Sequence, residues 1–215
     1  MSDNPILELS GVTKKFPGVI ANDDVGFAVM PGEVHALLGE NGAGKSTLVK
    51  MIFGVHSPDK GEMYFNGKLY APAKPSDARA IGIGMVFQHF SLFNALTVAE
   101  NVALGMNKEA IGDNLVSQIV KISEAYGLAL DPTRYIASLS VGERQRVEVV
   151  RCLLQHPRLL IMDEPTSVLT PQEVNILFQT LKKLASEGVS ILYISHKLEE
   201  IRELCEKATV LRGGK

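Results

Sequence analysis

Apolar and polar positions follow two periods along this chain. Ile6 to Val12 alternates residue by residue, the period of a half-buried strand, and Val19 to Met30 contains a second strand. The Pro31-Gly32 turn leads into Glu33-Val34-His35-Ala36-Leu37-Leu38, which reads as a buried strand. Lys45 to Phe53 reads as a helix stopped by Gly54. Glu62 to Phe65 and Lys68 to Tyr70 flank Asn66-Gly67, a strong hairpin signal. Ser76 is placed to cap a short helix, and Ile83-Gly84-Met85-Val86-Phe87 is a further buried strand. Thr97 and Glu100 form a capping box for a helix over Val98 to Leu104.

From Gly105 to Ser138 the pattern turns helical, with Leu115, Ile119, Ile122 and Tyr126 on one face and Gly127 as a stop. Ser138-Leu139-Ser140-Val141-Gly142-Glu143 opens a long helix reaching about Gln155. Leu159-Leu160-Ile161-Met162 is too apolar to face water on either side. Pro171 suits the first turn of a helix whose apolar face is Val174, Leu177, Phe178, Leu181 and Leu184, closed by Gly188. Ser190 to Ser195 is a buried strand, followed by a helix to about Cys205 and a strand from Ala208 to Leu211.

Buried strands alternating with amphipathic helices predict an α/β fold with a mainly parallel central sheet. To this the pattern adds a small antiparallel β part and a helical insertion. The expected division has residues 1–104 and 156–215 as the α/β core and about 105–155 as a helical subdomain. A hydrophobic content of 46% over 215 residues suits one sizeable domain of this kind. The closing Arg212-Gly213-Gly214-Lys215 is a turn signal without a second arm, which suggests a chain cut short.

The candidate chemistry centres on Gly39-Glu40-Asn41-Gly42-Ala43-Gly44-Lys45-Ser46-Thr47. It fits the phosphate-binding pattern G-x-x-x-x-G-K-[ST] at every fixed position, between a strand and a helix. Glycines let backbone N–H groups approach a phosphate, and the following helix points its positive end there. Lys45 adds a full charge, and the Ser46 hydroxyl can ligate Mg²⁺. An ordinary glycine-rich turn is the bland alternative, and both flanks argue against it.

Asp163 and Glu164 end a buried strand, where two carboxylates are costly without a positive partner. Asp163 suits a hydrated Mg²⁺ beside a triphosphate, and Glu164 an attacking water. Strand alternation is expected to separate the two side chains. Gln88 and His196 each follow a buried strand at the carboxyl end of the sheet, where α/β ligands bind. Phe16, expected in a loop, is either a core plug or a platform for a flat base. Ser140 and Gly142 can cap their helix or present a hydroxyl and N–H groups to an external anion.

Net charge is -2, the sequence pI is about 6.2 and no basic block occurs, so a nucleic-acid surface is not indicated. Cys152 and Cys205 have no metal-ligand spacing and read as buried thiols in helices. Met1 to Ser10 does not read as a signal peptide, and no stretch approaches a membrane span. Any membrane role is therefore expected through a partner.

With these residues in place, the chain resembles the ATP-binding subunit of ABC transporters over nearly its whole length. The phosphate loop alone is less specific than its combination, in order, with Gln88, Leu139-Ser140-Val141-Gly142, Asp163-Glu164 and His196. The resemblance implies a P-loop nucleoside triphosphatase using ATP and Mg²⁺. Phe16 would stack on adenine, residues Gly39 to Thr47 would hold the phosphates, and Ser46, Gln88 and Asp163 would serve the metal. Lys45, Gln88, Glu164 and His196 would be catalytic. Ser140 and Gly142 would grip the nucleotide of an opposite subunit.

It also implies permease subunits, a second ATP-binding cassette and a solute-binding protein as partners, no nucleic acid, and a place on the cytoplasmic face of the membrane. Val141, Glu143 and Thr170 depart from the usual pattern. Glu143 would repel a phosphate unless Arg144 or Arg146 compensates. These variants are similar to the branch importing simple sugars or nucleosides, in which two cassettes are commonly fused. The alternatives are a poorly hydrolysing binding module and a soluble non-transport ABC ATPase.

Overall fold

The computed structural model describes residues 4–106 and 114–215. Part of the segment expected as a helical insertion, residues 107–113, lies outside the described residues, as do Met1 to Asp3 of the leader reading. The chain divides into two compact units. The first comprises residues 1–85, 157–164 and 184–215, and the second residues 86–156 and 165–183.

Two sheets are built largely from the first unit. Strands β1 (Leu7–Phe16), β2 (Val19–Val29), β4 (Lys60–Phe65) and β5 (Lys68–Leu69) form an antiparallel sheet in the order β2-β1-β4-β5. Asn66 and Gly67 join β4 to β5 with φ of 50 and 72°, both positive as a tight hairpin of this type requires. β1 runs past its expected end, through register shifts, so Phe16 ends the strand opposite Val19 rather than lying in a loop.

The other sheet has the order β6-β7-β8-β3-β9, with β3 (Val34–Leu38), β6 (Ile83–Val86), β7 (Leu159–Asp163), β8 (Ser190–Ile194) and β9 (Lys207–Val210). β3 is parallel to β8 and β9, and β7 to β8. Every residue of β7 and β8 is buried, which explains their near-continuous apolar sequence. Register brings Leu37, Ile194 and Asp163 into one row. The segments leaving β3, β8 and β7 therefore depart from the same edge of the sheet.

Helix α1 (Lys45–Ile52) follows β3, and α2 (Pro75–Ala80) precedes β6. Ser76 lies inside α2 and does not cap it; the Asp77 carboxylate instead accepts from the N–H groups of Ala73 and Lys74. Helix α7 (Leu198–Leu204) follows β8 and ends before Cys205, whose backbone is extended.

The second unit is helical. It holds α3 (Val98–Leu104), α4 (Leu115–Ala125), a 3-10 turn (Ile136–Ser138), α5 (Val141–Leu153) and most of α6 (Pro171–Ser186). The Thr97–Glu100 capping box is present at α3. A second box joins Ser140 to Glu143 at the start of α5.

Candidate nucleotide site

β3 ends at Leu38, and the chain turns through Gly39–Gly44 into α1. Gly42 has φ 82°, in the region where a side chain is strained. At Gly44 the limit is space: a Cβ would stand 2.2 Å from the Ala21 carbonyl oxygen and 2.7 Å from Asn22 Nδ2. β2 thus presses directly on the loop, and buried Asn22 donates from Nδ2 to the Gly44 carbonyl at 3.3 Å. Lys45 is 5% exposed, and its ammonium donates to the carbonyls of Gly39 at 2.7 Å and Glu40 at 3.0 Å. The loop is therefore closed around its own lysine.

Asp163 is buried at the end of β7. Burial is the main cause that raises its carboxyl pKa, with the Glu164 charge adding to it; Lys50, Lys45 and the Ser46 hydroxyl pull it down. Asp163 Oδ1 has no hydrogen-bond partner among the described residues. An orphaned buried oxygen with a serine hydroxyl and a lysine acting on the same carboxylate fits a hydrated cation. Among the described residues no group of three or more His, Cys, Asp or Glu is arranged to hold a metal. Mg²⁺ takes one or two protein oxygens and completes its shell with phosphate and water. Asp163 and Ser46 are the residues that would hold it.

Glu164 does not continue the strand. Its φ is 47°, so the separation from Asp163 comes from a left-handed backbone and not from strand alternation. Its N–H donates to the Ile194 carbonyl at 3.0 Å. Its carboxylate faces His196: Nδ1 lies 3.3 Å from Oε1. A left-handed glutamate held against a histidine is a strained arrangement of the sort kept at functional sites.

An open cavity of about 820 Å³ borders this edge. Leu38 to Ala43, His196, Leu198 and Val210 to Gly213 line it, whereas buried Asp163 does not. Phe16 also lies outside the lining. The residue is 37% exposed, its ring edge-on to His56 at 5.6 Å, with Lys14 Nζ 5.6 Å from the centroid. That exposure removes the core-plug reading.

The structure thus brings Lys45, Ser46, Asp163, Glu164 and His196 to one edge of one sheet. Gln88, Ser140 and Gly142 belong to the second unit. β6 stops at Val86, so Gln88 is exposed two residues beyond the strand and not directly at its end. Ser140 caps α5, its hydroxyl accepting from the Glu143 N–H at 3.2 Å. Glu143 accepts from the Ser140 N–H at 2.8 Å and pairs with Arg134, and these contacts, the backbone bond first, hold its carboxyl below the usual range. Among the described residues the cation paired with Glu143 is Arg134, while Arg144 donates from Nε to the Leu139 carbonyl at 3.3 Å.

Gly142 is enclosed: a Cβ there would meet Glu173 Oε1 at 1.8 Å. Glu173 is held by Thr170, whose N–H and hydroxyl both donate to it at 2.9 Å. Sequence reading missed Arg134, Glu173 and Asn22. Thr170 and Glu173 do stand at capping-box spacing, a signal that was there to be used.

This fold and this loop define a P-loop nucleoside triphosphatase cassette. Residues 22–167 match the family model described as ABC transporter, and the chain belongs to that family. It is 46% identical to the nucleoside import ATP-binding protein NupA of Lactococcus lactis, a match covering 100% of this chain and 43% of that protein. It is 45% identical to the ribose import ATP-binding protein RbsA 1 of Rubrobacter xylanophilus, covering 98% of this chain and 43% of that one. The chain spans less than half the length of these curated relatives.

Among solved structures it superposes on a nucleotide-free ATP-binding cassette from an ABC transporter with a TM-score of 0.89 at 28% identity, over 98% of this chain and 89% of that one. A cassette solved as a dimer in a post-hydrolysis state with ADP and Pi gives a TM-score of 0.85 at 26% identity, over 97% of this chain and 95% of that one. Among the described residues no helix is long and apolar enough to cross a membrane.

Proposed function

We propose that this chain is an ATP-binding and ATP-hydrolysing cassette of an ABC importer for a small solute, a sugar or nucleoside. The observation that carries the reading is the convergence of Lys45, Asp163, Glu164 and His196 on the edge where the glycine loop leaves β3. The names of the relatives, nucleoside and ribose import proteins, support the cargo class.

In this reading the loop N–H groups and Lys45 hold the β- and γ-phosphates of ATP, and Phe16 offers its exposed face to the base. Mg²⁺ held by Ser46 and Asp163 would supply charge neutralisation on the phosphate oxygens. A water oxygen attacks the γ-phosphorus in line, and the bond to the β–γ bridging oxygen breaks, releasing ADP. Glu164 orients that water and accepts its proton; His196 and Lys45 stabilise charge on the γ-phosphate. Ser140 and Gly142 would complete the site of an opposing cassette, so closure of two cassettes on ATP would drive a permease between states. The chain would then sit on the cytoplasmic face of the membrane, with a solute-binding protein on the other side.

The test uses the full-length protein assembled with its permease. Glu164→Gln is expected to bind ATP with near wild-type affinity and to release phosphate about 10²–10⁴-fold more slowly, the usual size of a lost general base. Wild-type turnover in that variant would overturn the assignment. Uptake of labelled ribose or nucleoside by vesicles carrying that assembly checks the cargo class.

A further inference from the structure

Around His196, one buried carboxylate does a job that no motif assigns. Glu200 lies on α7 and is 8% exposed. Its Oε2 accepts from the Tyr193 hydroxyl at 2.8 Å and from the Ser195 hydroxyl at 3.0 Å. Its Oε1 pairs with Lys197 Nζ at 3.0 Å. The Ser195 oxygen in turn accepts from the Lys197 N–H at 3.1 Å. Tyr193, Ser195 and Lys197 bracket His196, and all three converge on the same side chain.

The histidine ring lacks such support of its own. Its side chain is 51% exposed, and its hydrogen-bonding partner among the described residues is Glu164, at a long 3.3 Å. A ring so placed is located by its backbone. The residues on both sides of it are tied to Glu200, whose lone pairs are taken up by two hydroxyls and an ammonium, as a buried carboxylate requires. The negative charge is felt nearby: burial, and after it the Glu200 charge, push the Cys205 thiol up to about 12.

We propose that Glu200 is the positioning residue of His196, fixing the segment on both sides of it so that the imidazole stays opposite Glu164. The proposal rests on the reading of His196 as a γ-phosphate contact. A merely structural role, tying β8 to α7, is the competing account. The two differ in what happens once the histidine is gone.

The experiment is a double-mutant cycle in the full-length protein assembled with its permease. Glu200→Ala is expected to lower kcat about 10–100-fold, the scale of a misplacement near 1 Å, with the KM for ATP changed less than about threefold. In a His196→Ala background the same change should lower kcat no further. Independent, multiplying losses in the two backgrounds would overturn the proposal.

Glu200→Gln keeps an acceptor for Tyr193 and Ser195 and should restore most of the rate. If Glu200→Ala does not fold, Ser195→Ala is expected to give a smaller loss of the same kind, and no loss there counts against the proposal.

A second readout is independent of turnover. The imidazole NMR signal of His196, assigned by its absence in His196→Ala, should shift or broaden in Glu200→Ala and Ser195→Ala but stay in place in Glu200→Gln. An unmoved signal overturns the positioning role whatever the kinetics. If instead His196→Ala itself keeps wild-type turnover while the signal moves, the γ-phosphate reading of His196 fails and the positioning role stands.

Discussion

Glu164 Oε1 and His196 Nδ1 stand 3.3 Å apart, on segments that leave two neighbouring parallel strands. The approach depends on the left-handed backbone of Glu164, φ 47°, which turns its carboxylate out of the strand while its N–H stays bonded to Ile194. For a residue other than glycine that conformation costs about 1–2 kcal/mol. Glu164→Gly removes the strain and adds about 0.5–1 kcal/mol of chain entropy cost. The nucleotide-free variant should therefore be as stable as wild type, or up to about 1.5 kcal/mol more so, while losing turnover. Urea unfolding measures it; a clear loss of stability would mean that the glutamate side chain itself holds the fold together here.

Asp163 gives a pH-dependent expectation. Its folded pKa is raised, chiefly by burial. The folded state then holds the proton more tightly than the unfolded chain does. Stability from this group is full below the ordinary carboxyl value of 3.8 and is lost as pH rises through the raised folded value. Above the ordinary value the raised carboxyl is a liability in the nucleotide-free protein, because burial penalises its charged form. Asp163→Asn should raise Tm at pH 7, and the gain should shrink toward zero as pH falls into the carboxyl range. A Tm gain that is the same at every pH, or a loss, would show that burial of the charge is not the dominant effect.

Much of this was legible in the chain because the signals are local. The G-x-x-x-x-G-K-S pattern needs a strand before it and a helix after it, and apolar runs supplied both. Asn66-Gly67 forced its hairpin through two positive φ angles. What was not legible depends on distant packing. No local pattern says that β2 abuts Gly44, that Arg134 pairs with Glu143, or that Glu200 gathers Tyr193, Ser195 and Lys197. Nor did alternation foresee Glu164, since the strand ends one residue earlier than a period-two reading assumes. Phe16 changed from loop to strand end because β1 absorbs register shifts that a simple pattern does not contain.

Glu143 is a departure from the usual signature that the fold turns to use. Its carboxylate accepts from the Ser140 N–H and meets Arg134, so it closes the first turn of α5. Its pKa is lowered, first by that backbone bond, against an opposing effect of burial. Stability from this group is therefore present above its ordinary value of 4.5 and is lost as pH falls through the lowered folded value. Glu143→Ala should cost about 0.5–2 kcal/mol at pH 7, the range of a lost helix cap. The difference from wild type should vanish in acid, where wild type also loses the charge. Arg134→Ala should cost less than about 1 kcal/mol, because the pair is partly exposed, and that cost should fall with added salt. Denaturant melts at pH 7 and in acid, with and without salt, check all three.

Gly142 and Glu173 make a pair whose coupling can be measured. The Glu173 carboxylate occupies the space a Cβ at position 142 would need, with Oε1 at 1.8 Å from it. A glutamate tip usually swings away cheaply, but this one is held by the N–H and hydroxyl of Thr170, and its own N–H donates back to the Thr170 hydroxyl at 3.4 Å. Gly142→Ala must therefore break the cap of α6 to make room. The expected loss is about 1 kcal/mol, typical of a cap. Glu173→Ala alone should cost a similar amount, for the same reason. Once Glu173 is gone, the three atoms nearest to that Cβ go with it, so adding Gly142→Ala should leave the double variant about as stable as Glu173→Ala by itself. Equilibrium unfolding of the four proteins gives the coupling directly. Strictly additive losses would mean that the glycine is kept for what approaches α5 from outside this chain, not for the carboxylate lying on it.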